Sequence, residues 1–406
     1  PEIAGRIAEK TRALGDRKAR AMLDAFRLGP VSPAGSPPLP DAASASEQVR
    51  ARVAARADAI RQGRWQLFGW KEAQLDDPPS WGLDAVHDRM APLDEAADDQ
   101  DHRNLPSGAD PRCVWEINRW SEMVTLAQNA WLNGRLEDAR TAQRWLWDWA
   151  ERNEPGQGIN WTSPLEAGLR LINFTWIDTL LRACADAEIR AAQERLAARL
   201  VPAHAWWVWR RRSFGSSANN HLLGELAGLV LAASRWPSLT GIACSAEKAW
   251  QQLQAEFLRQ FASDGGNREQ ALHYHLFAWE MAWQAFRVMG AADPDFVDRL
   301  IMAADFFAVL THPQEPWDFG DSDDAEVTPL TGNRTRAAAE WRAWLGHEPE
   351  GECLAFWLGG APGLAGREEE AWRVFSESGH AVKNAGSWMA RFDASPLGFG
   401  RMAAHG

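Results

Sequence analysis

Residues 163 to 186 read "SPLEAGLRLINFTWIDTLLRACAD". Ser163, Pro164, Leu165 and Glu166 form a capping-box pattern with proline at the first helical position, which marks a helix start. Behind it the apolar residues recur at helical spacing. The same pattern extends both ways. Upstream lie "WEINRWSEMVTLAQNAWLNG" and "EDARTAQRWLWDWAERN"; downstream lie "EIRAAQERLAARL", the run after Asn220, "SAEKAWQQLQAEFLRQFAS", "REQALHYHLFAWEMAWQAFRVMG" and "DPDFVDRLIMAADFFAVLTH". Helices joined by short turns are antiparallel hairpins. So many hairpins in one chain predict a ring or solenoid rather than a four-helix bundle.

The pattern changes towards both ends. Residues 1–27 are charged and helix-prone, and "LGPVSPAGSPPLPDAASAS" from Leu28 is a linker or irregular arm. A short helix then leads to "RWQLFGW" at Arg64 to Trp70. Asp76 to Arg112, rich in Asp, Pro and Gly, predicts a long loop, a feature often functional when ordered. After about Glu370 the period falls to two. "WRVFSESGHAVKNAG" and "SWMARFDASPLGFGRMAAHG" predict strands with a Gly-containing turn, Trp388, Ala390 and Phe392 alternating with Met389, Arg391 and Asp393 as in a half-buried strand. The expected fold class is mainly α, helical hairpins followed by the start of an antiparallel sheet. The expected division is an arm and linker over 1–62, a helical catalytic domain over 63–365, and the first strands of a second, incomplete domain over 366–406.

Composition narrows the function. The chain has 406 residues, 46% hydrophobic and 24% charged, as in a soluble globular protein with a sizeable core. No apolar run reaches the ~18 to 20 residues of a membrane helix, and no basic-then-apolar leader is visible. A net charge of -12 argues against a nucleic-acid partner. It also repels a polyanion unless basic residues gather locally. Cys113, Cys184, Cys244 and Cys353 are too scattered for a disulfide framework or zinc site, so no metal is expected among them. There are 24 Trp and 16 Phe but one Tyr, Tyr274. Indole rings suit either core packing or stacking on sugars.

Three constellations carry candidate chemistry. Asn219, Asn220 and His221 stand at the mouth of an apolar helix. An N-cap accounts for Asn219 alone. Amides facing a cleft can hydrogen-bond a carboxylate and favour charge developing beside it, and a histidine can assist or exchange protons. "DGGNREQALHYHLF" sets Gln270, Tyr274 and His275 on what the spacing predicts as opening helical turns, with Gln270 and Tyr274 sharing a face. Tyr274 reads as a core aromatic or as a functional phenol. The third is His405, in "MAAHG". Around them, Arg210, Arg211 and Arg212 form a basic run, "WEINRW" adds Asn118 and Arg119, and "GINWTSPLEAGLRL" adds Asn160, Trp161, Glu166 and Arg170. Acidic "PWDFGDSDDAEV" lacks the offsets of an EF-hand.

The order of "WEINRW", "GINWTSPLEAGLRL", "SSANNHLLGELAGL", "GGNREQALHYH" and "FGDSDD", closing on "AAHG", resembles the heparinase II/III-like polysaccharide lyases, alginate-lyase relatives included, from about Gln62 onwards. The resemblance implies an incomplete α/α toroid followed by an antiparallel β-sandwich, and β-elimination on a uronate-containing polysaccharide. It places catalytic roles on Asn220, His221, Tyr274 and His405. Substrate contacts are expected from Asn118, Arg119, Asn160, Trp161, Glu166, Arg212, Asn219, Gln270 and His275. No cofactor is required for the chemistry, and a metal in the sandwich stays open. The implied partner is an acidic polysaccharide, which favours a periplasmic or secreted setting. Two rivals remain. One is a toroid glycoside hydrolase, needing two carboxyls about 5 to 10 Å apart, with Glu116, Glu166 and Glu269 as candidates. The other is a non-catalytic uronate-polymer binding protein.

Overall fold

The computed structural model describes residues 18, 20–29, 35–215, 218–311, 319–322, 324–362, 372–385 and 388–395. Twelve α-helices lie among them: α1 (Glu47–Arg61), α2 (Pro111–Asn118), α3 (Ser121–Asn133), α4 (Leu136–Arg152), α5 (Pro164–Ala183), α6 (Ala187–Arg211), α7 (Asn220–Arg235), α8 (Ala246–Gln260), α9 (Leu272–Met289), α10 (Pro294–Leu310), α11 (Ala337–Leu345) and α12 (Glu352–Leu358). Two short hairpins, β1 (Arg64–Leu67) with β2 (Lys71–Gln74) and β3 (Leu83–Asp84) with β4 (Arg89–Met90), precede α2. None of the described helices is long and apolar enough to cross a membrane.

The helices form the incomplete α/α toroid. α1, α3, α5, α7 and α9 pack side by side as an inner arc, while α4, α6, α8 and α10 each pack behind an inner helix. Sequence decides which helix goes where. From Leu165 to Leu181, and from Leu222 to Ala233, α5 and α7 are buried all round. Outer α4 and α8 bury one face only, as amphipathic helices do. Glycines let α5 and α7 touch backbone to backbone: a Cβ on Gly168 would stand 2.8 Å from the Gly224 carbonyl oxygen, and one on Gly228 would stand 2.8 Å from the Gly168 Cα. Most tryptophans are core, Trp65, Trp120, Trp149, Trp161, Trp176 and Trp279 among them.

A segment from late in the chain, Glu326 to Arg334, lies against several inner helices at once. Its Val327 and Pro329 carbonyls accept from Asn173 of α5 and Gln128 of α3, and the Thr328 hydroxyl bonds Asn173 and Gln284 of α9. Val327, Thr328, Leu330 and Thr331 are buried. The concave side of the arc is therefore filled by protein.

After the helices comes one three-stranded antiparallel sheet, β5 (Arg373–Phe375), β6 (His380–Ala385) and β7 (Trp388–Asp393). Its inner face carries Phe375 and Val382, with Phe375 meeting Phe306 of α10 at 4.8 Å between ring centroids. Arg391 lies over Phe319 at 3.6 Å. The alternation is as expected, yet the aromatic half faces outwards: Trp388 is 53% and Phe392 64% exposed. Phe375 and Val382 already fill the toroid side.

Three other expectations change. The helix over 47–61 packs on α3 through Val49, Val53, Ala57 and Ile60, so it joins the toroid and not an N-terminal arm. "WEINRWSEMVTLAQNAWLNG" is two helices, broken where Trp120 takes φ 65°. Ser163 does cap α5 in position, but the capping box does not form. Its side chain makes no cap hydrogen bond, and Glu166 turns to Arg119 instead.

Candidate active site

α5, α7 and α9 are successive inner helices, each separated from the next by one outer helix. They run the same way, so their N-termini open at one end of the toroid. Asn219 is the N-cap of α7, its side-chain oxygen accepting the His221 N–H at 3.3 Å. Asn220 is the first helical residue and is 1% exposed. The partner of this cluster is Glu269, from the turn before α9. Its carboxylate accepts the Asn220 backbone N–H at 2.9 Å, the Asn220 Nδ2 at 2.7 Å and the Asn219 Nδ2 at 3.3 Å. A carboxylate is favoured at a helix N-terminus, where backbone N–H groups lack partners. Glu269 thus holds the Asn220 amide in one orientation. Oδ1 of Asn220 is buried and accepts no hydrogen bond among the described residues.

The turn that delivers Glu269 is tightly specified. Asn267 Oδ1 accepts the Glu269 N–H at 2.7 Å, and Gln270 takes φ 60°. The helix begins only at Leu272. Gln270 therefore precedes α9 and does not share a helical face with Tyr274, because the chain is still turning there. Tyr274 lies on the first turn of α9 and is half-buried. His275 points the other way. Its Nε2 meets the Ala303 carbonyl at 2.8 Å, its ring stacks on Phe306, and burial pushes its pKa down to about 4. It is a neutral core histidine. His405 lies outside the described residues.

A cleft of about 830 Å³ opens beside this end. His221, Ser213 and the Thr162–Pro164 start of α5 form one side, and the loop ahead of α2, with His87, His102 and Arg103, forms the other. Ser213 donates its N–H and hydroxyl to Glu225 at 2.7 and 2.6 Å. Burial pushes Glu225 up to about 7 against those two bonds. Arg212 lies over the Trp209 ring at 3.3 Å, and burial lowers its pKa.

The remaining expected contacts lie deeper. Asn118 Nδ2 donates to the Trp81 and Val114 carbonyls, and its oxygen accepts from Trp149 and Asn160 at 2.8 and 3.0 Å. Asn160 also donates to Asn153, and Trp161 packs on His204 at 4.6 Å between rings. Arg119 grips Glu166 with two bonds of 2.8 Å and Glu116 with one of 2.9 Å. Arg170 sits among Trp120, Trp149 and Trp161. Asn118 and Asn160 are 0%, Trp161 and Glu166 1% exposed. Buried side chains with protein partners brace the end of the toroid, and in this structure they do not reach the cleft as direct contacts would require.

Among the described residues one trio, Asp84, His87 and Cys113, brings metal-ligand atoms within 4.8 Å of one another. Its chemistry fits a loop anchor better. Asp84 accepts the Val86, His87 and Asp110 N–H groups and His87 Nδ1. Burial and the Asp84 charge push Cys113 up to about 12, so it stays a thiol, whereas a metal takes thiolate.

Sequence reasoning did not single out the anchoring role of Glu269, nor the cleft residues His87, His102 and Arg103. The available signal was the unusual length of the loop from Asp76 to Arg112. No curated protein sequence matches the chain. The crystal structure of heparinase III is similar at 18% identity and a TM-score of 0.53, over 92% of this chain and 56% of that one. A heparan sulfate lyase from Pedobacter heparinus is similar at 16% identity and a TM-score of 0.50, over 95% and 56%. An alginate lyase from Bacteroides ovatus is 14% identical with a TM-score of 0.43, over 78% and 90%. At such identities the first two likenesses are likenesses of fold, and this chain spans just over half the length of both. The family described as heparinase II/III N-terminus matches residues 86–338. That stretch is more than half of the sequence, and the chain belongs to the heparinase II/III family.

Proposed function

We propose that the protein is a polysaccharide lyase that breaks a uronate-containing polymer by β-elimination. The carrying observation is the convergence of Asn220, His221 and Tyr274 on the N-termini of two adjacent inner helices, with Glu269 fixing the Asn220 amide. The C5 proton of a uronate is weakly acidic because its loss adds charge beside a carboxylate. The Asn220 amide and His221, at a helix N-terminus, hydrogen-bond that carboxylate and favour the enolate-like intermediate. Tyr274 or His405 removes the proton, and Tyr274 hands a proton to the departing C4 oxygen. The bond between C4 and its oxygen breaks, and a C4–C5 double bond forms.

The carboxyl groups weigh against hydrolysis. Glu116 and Glu166 are tied to Arg119, and Glu269 to the two asparagines, so each has a structural task. The test is incubation with a panel of heparan-type, alginate and bacterial uronate polymers, following the ultraviolet absorbance of the new double bond. Absorbance should rise on at least one polymer, and Tyr274→Phe should lower that rate by about 100-fold or more. Reducing ends without absorbance would replace the lyase by a hydrolase. Binding with neither product would leave a binding protein.

A further inference from the structure

The wall of the cleft has a charge opposite to that of the chain. The sequence has 55 acidic against 43 basic side chains. The cleft is lined by His87, His102, Arg103, Arg112 and His221, and its one acidic side chain among the described residues, Asp110, is paired with Arg112 at 2.9 Å. Three of the ten histidines gather in this one place.

His87 is the most deliberately held of them. Asp84, 0% exposed, accepts its Nδ1 at 2.8 Å. That carboxylate is itself fixed by the backbone N–H groups of Val86 and His87 at 3.0 Å and Asp110 at 2.8 Å. The imidazole side chain is nevertheless 53% exposed, on the cleft. With Nδ1 engaged, Nε2 is the ring nitrogen left for a ligand. A protonated ring can donate both ways, to Asp84 from Nδ1 and to a bound anion from Nε2, with the carboxylate balancing its charge.

We propose that His87, oriented by Asp84, binds an acidic group of the glycan, a carboxylate or sulfate ester, in the cleft beside the Asn220–Tyr274 centre. The proposal rests on the reading that the cleft takes an acidic polysaccharide. It adds a binding residue from the loop ahead of α2, remote in sequence from the catalytic cluster.

The experiment is calorimetric titration of the protein with two oligosaccharides, an unsulfated oligouronate and a sulfated heparan-type fragment, each beside its carboxyl-reduced form. His87→Ala should weaken binding of an acidic ligand about tenfold, the loss of one charge-assisted hydrogen bond at a partly exposed site. His87→Lys should recover most of it. Loss on the oligouronate that disappears after carboxyl reduction assigns a carboxylate; loss confined to the sulfated fragment, and surviving its reduction, assigns a sulfate. Both support the proposal. Three backbone bonds still hold Asp84 in His87→Ala, and an unchanged melting temperature checks the fold. Binding within twofold of the unaltered protein on both ligands overturns the proposal, as does failure of the unaltered protein to bind either. A drop in affinity without any unsaturated product would overturn the lyase and leave this site standing.

Discussion

Two polar clusters sit at the same end of the toroid and look alike in sequence. One is Asn219, Asn220, His221 and Tyr274; the other is Asn118, Arg119, Asn160 and Glu166. Both mix amides with charged or aromatic partners, and both stand at helix ends. The difference lies in where the hydrogen bonds go. In the deep cluster every amide nitrogen meets a carbonyl or another amide, and Arg119 is closed by two carboxylates. In the mouth cluster one carboxylate, Glu269, holds two asparagines, while His221 lines the cleft and Tyr274 stays half-buried. Residue type does not separate a brace from a site. What separates them is that His221 lines the cleft and Tyr274 is only half-buried, since Asn220 itself is as buried as the brace.

That contrast can be broken by mutation. The largest stability effect is expected from Arg119→Ala, which strands the buried carboxylate of Glu166, while Glu116 keeps Arg334. Its cost should be about 3–5 kcal/mol in denaturant unfolding. A cost below about 1 kcal/mol would remove the distinction between brace and site. Asn219→Ala should cost about 1 kcal/mol, the value of an N-cap, because its backbone carbonyl still accepts from Gln260. A further effect separates by pH. Burial, then the Glu326 charge, pushes Glu280 up to about 8 from an ordinary 4.5. A raised carboxyl contributes stability fully below the unfolded value and loses it as pH rises through the folded one. Glu280 accepts from the Thr328 N–H and Gln284 through Oε1, a role an amide oxygen can take over. Glu280→Gln should therefore melt with the unaltered protein at pH 5 and above it at pH 9. Parallel curves at both pH values would show that Glu280 carries no such proton.

The helices were legible because inner and outer elements both repeat apolar residues at 3.6 spacing, and Pro164 marks a start that the structure keeps. The break at Trp120 was not, since nothing in the local apolar run signals the left-handed backbone it takes between α2 and α3. The mouth cluster was legible as three adjacent polar residues before an apolar run. Glu269 as its anchor was not, because that contact joins positions 49 residues apart. For the same reason Asn118 and Asn160 passed as ligand contacts: only the fold reveals that Trp81, Trp149 and Asn153 already engage both Asn118 atoms and the Asn160 nitrogen.

The segment from Glu326 to Arg334 has a consequence for the order in which the chain is assembled. Asn173 and Gln128 belong to helices synthesised more than 150 residues earlier; the Asn173 amide already meets the Arg119 carbonyl, but its bond to Val327 and the Gln128 bond to Pro329 form only when this segment arrives. A growing chain that has completed α9 but not Arg334 carries an arc with an open, polar-lined inner side. Its native packing must wait for contacts of high sequence separation, the kind that slows folding. The toroid is thus closed from within by some of the last helical-domain residues to leave the ribosome.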